Sequence, residues 1–324
     1  MAAVLLAAAC SWLFLRALIP RLRRRLLDQP NSRSSHLQPT PRGGGLAFVA
    51  VSSVSSCMAL LSGQGLAAAS LPLLAAPLAV VGLLDDRHNL PASWRYGVQL
   101  LTGALMLSIS PFLQRFDLIV GFGSWLLLPA LALLVIAVTA VINFTNFMDG
   151  LDGLVAGCMV VAIAALSIAL FAPWPLWAVV GSLLGCLFWN WRPAKLLMGA
   201  VGSTFLGAVF AGLVLQASSW PEAFGYLLVA TPLLADACIC IPRRLLAGQR
   251  VFQAHRLHLF QRLHQAGWPH AQVSLSYVWA TAVLAVALLA GGWPWVCGLA
   301  GAELVRGVGL EQRAAVPFAG ASGQ

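Results

Sequence analysis

The stretch LLLPALALLVIAVTAVINFTNFMDGLDG, residues 126–153, joins two kinds of sequence. Its first part, 126–143, carries no charge and has the length, about 17 to 25 residues, at which an apolar helix crosses a bilayer. Its second part sets Asn143, Asn146, Asp149 and Asp152 at every third position. Polar groups are costly at the lip of a membrane span and usually serve a function there. The stretch therefore predicts a helix in lipid with chemistry at one end.

Apolar runs of the same kind recur near 3–20, 45–62, 66–84, 96–113, 154–171, 175–190, 203–219, 223–241, 272–290 and 293–305. The last is short, so the expected fold is all-α, a polytopic integral membrane helical bundle of ten or eleven transmembrane helices. Composition agrees: 60% of the 324 residues are hydrophobic and 9% charged, against roughly 25% charged in soluble domains. The longest polar loop, about 30 residues from Pro242 to Ala271, is too short for a core of its own. Residues 1–324 thus read as a single transmembrane domain with its main motifs in 28–270 and a short cytoplasmic tail over 306–324.

The charges of the first span, Arg21, Arg23, Arg24 and Arg25, follow the apolar run, the reverse of a signal peptide, so an anchor is expected. If that span runs inward, the loops 21–44, 85–95, 144–153, 191–202 and 242–271 share one side and hold 15 of the 19 Lys and Arg residues. The loops opposite hold only Arg115. This is the positive-inside asymmetry, which makes those five loops cytoplasmic. The net charge of +9 is then explained by topology and anionic headgroups, with no nucleic acid required. Seven cysteines without a Cys-x-x-Cys pair give neither a disulfide framework nor a metal knuckle.

The candidate chemistry lies in those loops. Asp85 and Asp86 end a span, where hard carboxylate oxygens suit a divalent cation; adjacent helical residues point about 100° apart, so the two serve different partners. In 143–153, Gly150 and Gly153 permit close backbone approach beside the amides and acids. In PAKLLMGAVGST (193–204), Lys195 can neutralise phosphate and the glycine N–H groups can cradle it; a helix cap beside a snorkelling lysine is an equally good local reading. His255 and His258, with Arg256 and Arg262 around them, suit an anion clamp better than a metal, or a basic helix on anionic lipid. Arg42 in PTPRGGG adds another cationic donor. Together these loops offer carboxylates for a metal, amides for a base or sugar and cations for phosphates, which points to phosphoryl transfer on a lipid.

PTPRGGG (39–45), GLLDD (82–86), NFTNFMDGLDG (143–153), FWNWRPAKLLMGAVGSTFLG (188–207) and HRLHLFQRLHQAGW (255–268) resemble, in order, the motifs of the polyprenyl-phosphate N-acetylhexosamine-1-phosphate transferases. The resemblance implies that undecaprenyl phosphate attacks the β-phosphorus of a UDP-N-acetylhexosamine, releasing UMP, with Mg²⁺ or Mn²⁺ as cofactor. It implies Asp85 and Asp86 beside metal and lipid phosphate, Asn146, Asp149, Asp152 and Asn190 on the nucleotide-sugar side, and His255 and His258 near the pyrophosphate. Arg42, Lys195 and Arg256 are phosphate-binding candidates on charge alone. The implied setting is a bacterial inner membrane, among membrane lipids, with a cytoplasmic active site; a homodimer is compatible with it. The short histidine loop favours O-antigen or another surface polysaccharide over peptidoglycan.

One position departs from the family's pattern, which reads M-G-D-x-G-S where this chain has Met198-Gly199-Ala200-Val201-Gly202-Ser203. The missing carboxylate is a metal ligand in that pattern, so Ala200 is expected to lower or abolish activity. An engineered inactive variant, a divergent natural member and a degenerate protein stay open; the intact remaining motifs favour the first. Two other classes also stand: a transporter or flippase, which would place its polar residues near the midplane, and a non-catalytic binder of lipid or nucleotide sugar.

Overall fold

The computed structural model describes residues 1–29, 38–114, 127–249 and 255–318. Arg115 and residues 250–254 at the head of the histidine loop lie outside them, as does the end of the expected tail.

Apart from one two-residue pairing, the described elements are helices. They are α1 (Ala2–Arg25), α2 (Gly45–Leu61), α3 (Leu66–Ala69), α4 (Leu71–His88), α5 (Ala92–Ser108), α6 (Pro111–Gln114), α7 (Leu127–Phe147) and α8 (Leu154–Ala169). Then come α9 (Trp174–Asn190), α10 (Ala200–Val214), α11 (Trp220–Leu228), α12 (Thr231–Leu246), α13 (Leu259–Gln265) and α14 (His270–Ala314). Each apolar run read from sequence falls on a helix, as an all-α multi-pass membrane protein requires. The crossings are another matter. Among the described residues, four helices are long and apolar enough to span, and α11 with α12, bent by 86°, would make a fifth. The helices α2, α8, α9 and α10 are shorter, so ten or eleven crossings are not confirmed. The two runs expected at 272–290 and 293–305 are two helical segments of α14 that meet at a kink at Gly292, whose φ of +69° and ψ of −165° are not helical.

Small residues set the packing. On α9, Gly181 and Gly185 lie one turn apart against α1, and a Cβ on either would collide with the carbonyl of Val4 or Ala8. Close approach of this kind is how apolar helices associate where lipid removes the hydrophobic incentive. The centre is α10, buried on nearly every residue from Val201 to Leu213 and packed against α4 and α7. A helix apolar all round belongs in such a position.

The small sheet organises the mouth of this bundle. Its strands β1 (Leu27–Asp28) and β2 (Thr40–Pro41) pair antiparallel, and the chain then runs beside 196–199. Leu197 N donates to Pro41 O, Gly44 N to Leu197 O and Gly45 N to Met198 O, at 2.8, 2.9 and 3.0 Å. The glycines are needed here: a Cβ on Gly44 would press on Leu196 and one on Gly45 on the backbone of Gly202. PTPRGGG and PAKLLMG, 150 residues apart, are thereby one hydrogen-bonded platform.

Residues 306–314 of the expected tail are helical. Helix α14 continues to Ala314, and Val316 folds back, exchanging hydrogen bonds with Arg262.

Candidate active site

The platform delivers Gly199 as the N-cap of α10, with φ +75°. That conformation favours glycine, and space demands it too, because a Cβ there would strike Asp86 Oδ2. Asp86, from the end of α4, faces the backbone N–H groups of Ala200 and Val201. Asp149, from the turn after α7, faces the N–H of Gly199, with Asp86 and Arg42 as its charged neighbours. The N–H groups expected to cradle a phosphate therefore face two carboxylates first. The reason is electrostatic: orphan donors and the positive end of the helix dipole attract whichever anion lies nearest.

Three further facts define this pocket. Asp86 Oδ2 is buried without a hydrogen-bond partner, which a carboxylate oxygen tolerates poorly unless a cation or water completes it. Asp149 is pushed up to about 7 by burial and by the charge of Asp86, against the pull of Arg42 and the Gly199 N–H. Arg42 is shared, pairing with Asp28 at 2.9 Å. Two neighbouring carboxylates, one of them unsatisfied, are a donor set that fits a hard divalent cation.

Asp85 turns elsewhere, to an ion pair with Arg95 at 3.0 Å. Asp85 still bears on Asp86 through its charge, while Asp149 joins Asp86 at the α10 N-terminus from another loop, since consecutive helical positions diverge and a turn can converge. Asp85, Arg95, Gln99, Asn143, Asn146, Ala200 and Thr204 line a cleft of about 20 Å³, room for about one water or small ion. Asn146 accepts from Ser203 Oγ at 2.7 Å, and Asn143 exchanges hydrogen bonds with Gln99.

The turn at 149–153 spreads its residues over three neighbours. Gly150 lies under the ring of Phe260 and Gly153 under that of Trp191. Asp152, 1% exposed, accepts from Ala194 N at 3.1 Å and meets Arg192 at 3.4 Å and His270 at 3.2 Å. Asn190 accepts from Gly153 N at 3.2 Å and donates to Leu196 O at 3.0 Å. Asp152 and Asn190, expected against nucleotide, are thus committed to joining the two loops. Lys195 is exposed, its Nζ 5.6 Å from the Trp189 ring.

The histidine motif is anchored to α12. His258 Nδ1 lies 3.4 Å from Asp236 Oδ1, while Asp236 caps α13 by accepting from Leu259 N and Phe260 N at 2.8 and 3.1 Å. Burial alone would lower His258, but the hydrogen bond and charge of Asp236, joined by Cys240, lift it to about 9. His255 is pulled down to about 3 by burial and by the charges of His258 and Arg244. The motif faces α12, and Arg256 faces His264. Sequence reading missed Arg95, Gln99, Ser203, Arg192 and His270; only Arg95, a lone cation opening an apolar helix, carried a signal.

Residues 68–218, from the acid pair through α10, match the family described as Glycosyl transferase family 4. A decaprenyl-phosphate N-acetylglucosaminephosphotransferase of Mycobacterium leprae (strain TN) is 31% identical over 86% of this chain and 81% of the relative. The chain belongs to the polyprenyl-phosphate N-acetylhexosamine-1-phosphate transferase family. Two other members agree. The undecaprenyl-phosphate alpha-N-acetylglucosaminyl 1-phosphate transferase of Yersinia pestis is 31% identical, over 81% of this chain and 75% of the relative. A probable undecaprenyl-phosphate N-acetylglucosaminyl 1-phosphate transferase of Bacillus subtilis (strain 168) is 28% identical, over 75% and 71%. The matched segment contains Asp86, Asp149 and the α10 N-terminus, and Arg42 lies before it.

Proposed function

We propose that the chain transfers an N-acetylhexosamine 1-phosphate from its UDP-sugar to undecaprenyl phosphate, initiating O-antigen or another surface polysaccharide. The names of its relatives favour N-acetylglucosamine as the sugar. The observation that carries the reading is the convergence at Gly199 of Asp86, with its unpartnered oxygen, Asp149 and Arg42, each from a different loop. A lipid phosphate oxygen attacks the β-phosphorus and forms a P–O bond. The bond from that phosphorus to the bridging oxygen breaks, and UMP leaves with the oxygen and its electron pair.

Asp86 and Asp149 are the residues that would hold Mg²⁺, or Mn²⁺ in its place. Held there, such an ion would supply positive charge to the diphosphate and to the leaving phosphate. Arg42 adds positive charge beside it, and Lys195 adds it at the exposed rim. Asn146 lines the adjoining cleft and suits the nucleotide sugar. Asp152 and Asn190 are positioning residues that hold the 149–153 turn against the 190–196 loop. Charge asymmetry supports an inner-membrane protein with this pocket on the cytoplasmic side.

Ala200 leaves the cleft between Asp85 and Asn146 without a third carboxylate, and we infer that turnover is low as a result. The same observation favours a second reading, a non-catalytic binder of these substrates. One assay separates them: UMP release from a panel of UDP-N-acetylhexosamines with undecaprenyl phosphate and Mg²⁺, for the chain and for Ala200→Asp. Release restored by the substitution is expected. No release from either, with nucleotide sugar bound, supports the binder.

A further inference from the structure

The chain after α14 reaches back to the histidine loop. Arg262, on α13, is 2% exposed, and each arm of its guanidinium has an acceptor. Nε donates to Leu257 O at 3.1 Å, Nη1 to Val316 O at 3.0 Å and Nη2 to Glu311 Oε1 at 2.7 Å. Val316 N returns a hydrogen bond to Arg262 O at 3.3 Å, and the guanidinium carbon lies 5.7 Å from the centre of the Phe318 ring. Glu311 also pairs with Arg243 of α12, and Val316 and Phe318 pack on Cys240 and Leu257. A planar fork with its donors filled is fixed in direction as well as in place. The end of the chain thereby holds both α13 and the backbone between His255 and His258.

Helix α13 has a second face. Phe260 stands two positions before Arg262, about 200° around the helix, and is fully buried. Its ring covers Gly150, where a Cβ would come within 3.0 Å of it, and the His258 ring stacks on it at 5.8 Å between centres. Gly150 directly follows Asp149. One short helix is thus held between the C-terminal segment and the turn that carries an acid of the pocket.

We propose that Glu311, Val316 and Phe318 are positioning residues for the transfer: a latch that holds α13 and, through Phe260, the Asp149 turn in place. The proposal rests on the transfer reading above. The three act through Arg262 and Phe260 and not on substrate. Removing Glu311 leaves the buried guanidinium short of countercharge, which is strongly unfavourable, so α13 keeps its seat only while position 311 is filled by an acid. A reacting group displaced by about 1 Å costs about 10²-fold in rate, so a small shift of the turn is enough to matter.

The test uses the full chain carrying Ala200→Asp, in detergent, with Glu311→Gln, Glu311→Asp or Phe318→Ala added. Hydrogen exchange should quicken at 255–265 and at 148–153 in Glu311→Gln and Phe318→Ala. The UDP-N-acetylglucosamine concentration that half-saturates UMP release should rise at least about tenfold, within the range such a displacement costs. Loss of folded protein alone lowers the maximal rate and leaves half-saturation where it was. Glu311→Asp, which keeps the charge, should recover most of both effects. Should Glu311→Gln elute as aggregate, Phe318→Ala carries the test, because it removes a ring and leaves the ion pair. Unchanged exchange at 148–153 in both variants, or quickened exchange with unchanged half-saturation, would overturn the latch. A background chain that releases no UMP from any donor sinks the transfer reading instead, and exchange at 148–153 then decides the latch alone.

Discussion

Ala200→Asp places a third carboxylate at the start of α10, where Asp86 and Asp149 already face the helix N–H groups. At about pH 6.5 Asp149, raised to about 7, mostly keeps its proton, so the pair with Asp86 dominates; at about 6 Å and an effective dielectric of about 20 it costs about 3 kcal/mol. The helix dipole returns about 0.3 to 1 kcal/mol of this. Metal-free Ala200→Asp should therefore be less stable than the parent by about 2 kcal/mol. A divalent ion reverses the sign, because repulsion between its ligands is what it relieves. The same 3 kcal/mol becomes about two decades of tighter Mg²⁺ binding, at 1.36 kcal/mol per decade. Stabilised charge in the transition state is worth about 10²- to 10³-fold in rate. The assays are thermal unfolding in detergent with EDTA or Mg²⁺, and UMP release at saturating donor. Equal turnover and equal Mg²⁺ response in the two proteins would refute the account of Ala200.

Asp86→Asn should lower UMP release by Ala200→Asp at least about 100-fold, yet leave metal-free stability unchanged or raised, because it removes a charge whose Oδ2 has no partner; a large loss of stability in EDTA would contradict this. Asp149, raised by burial from 3.8 to about 7, keeps in the folded chain a proton that the unfolded chain gives up. Metal-free stability should thus fall as pH rises from about 4 to 7 and level off above, and Asp149→Asn should show a shallower slope in melting curves, keeping the share of Asp86, which burial raises to about 6. Asn190→Ala leaves the Gly153 N–H and the Leu196 carbonyl unpaired, at about 1 to 3 kcal/mol. It should lower the melting temperature, and an unchanged value would show that Asn190 is free for ligand instead.

The helices were legible because apolar length is a local property: α7 is visible in 126–143 alone, and the acids at its end follow from the cost of polar groups in lipid. What the sequence hid was pairing at a distance. Nothing in PTPRGGG says that Gly44 and Gly45 hydrogen-bond residues 197 and 198. Asp85, expected beside Asp86 at the metal, pairs with Arg95 because neighbours along a helix diverge in space, while Asp149 arrives from a turn over 60 residues on. Asn190 and Asp152 were legible as polar residues at a site, though not as braces, because only the fold shows whether an amide's two ends are already used. His255 and His258 were legible as a pair. Their direction depends on Asp236 and Cys240, both inside a helix that reads simply as apolar.

The loop 193–204 carries no acid of its own, and the fold explains why it need not. Its glycine, φ positive, opens the N-terminus of α10 so that three consecutive N–H groups face outward. Carboxylates brought to such a terminus keep part of the solvation that burial removes, which permits two of them to stand close together away from bulk water. The backbone has three donors to give and the acids have four oxygens, so at least one oxygen must look for a partner elsewhere. Asp86 Oδ2 is that oxygen. A third acid at position 200 would add two more with no further N–H available, so its charge would have to be met by a cation. Ala200 thus lowers the number of oxygens needing a metal and the strength with which one is held. It leaves intact the platform, the two acids and the terminus that position it.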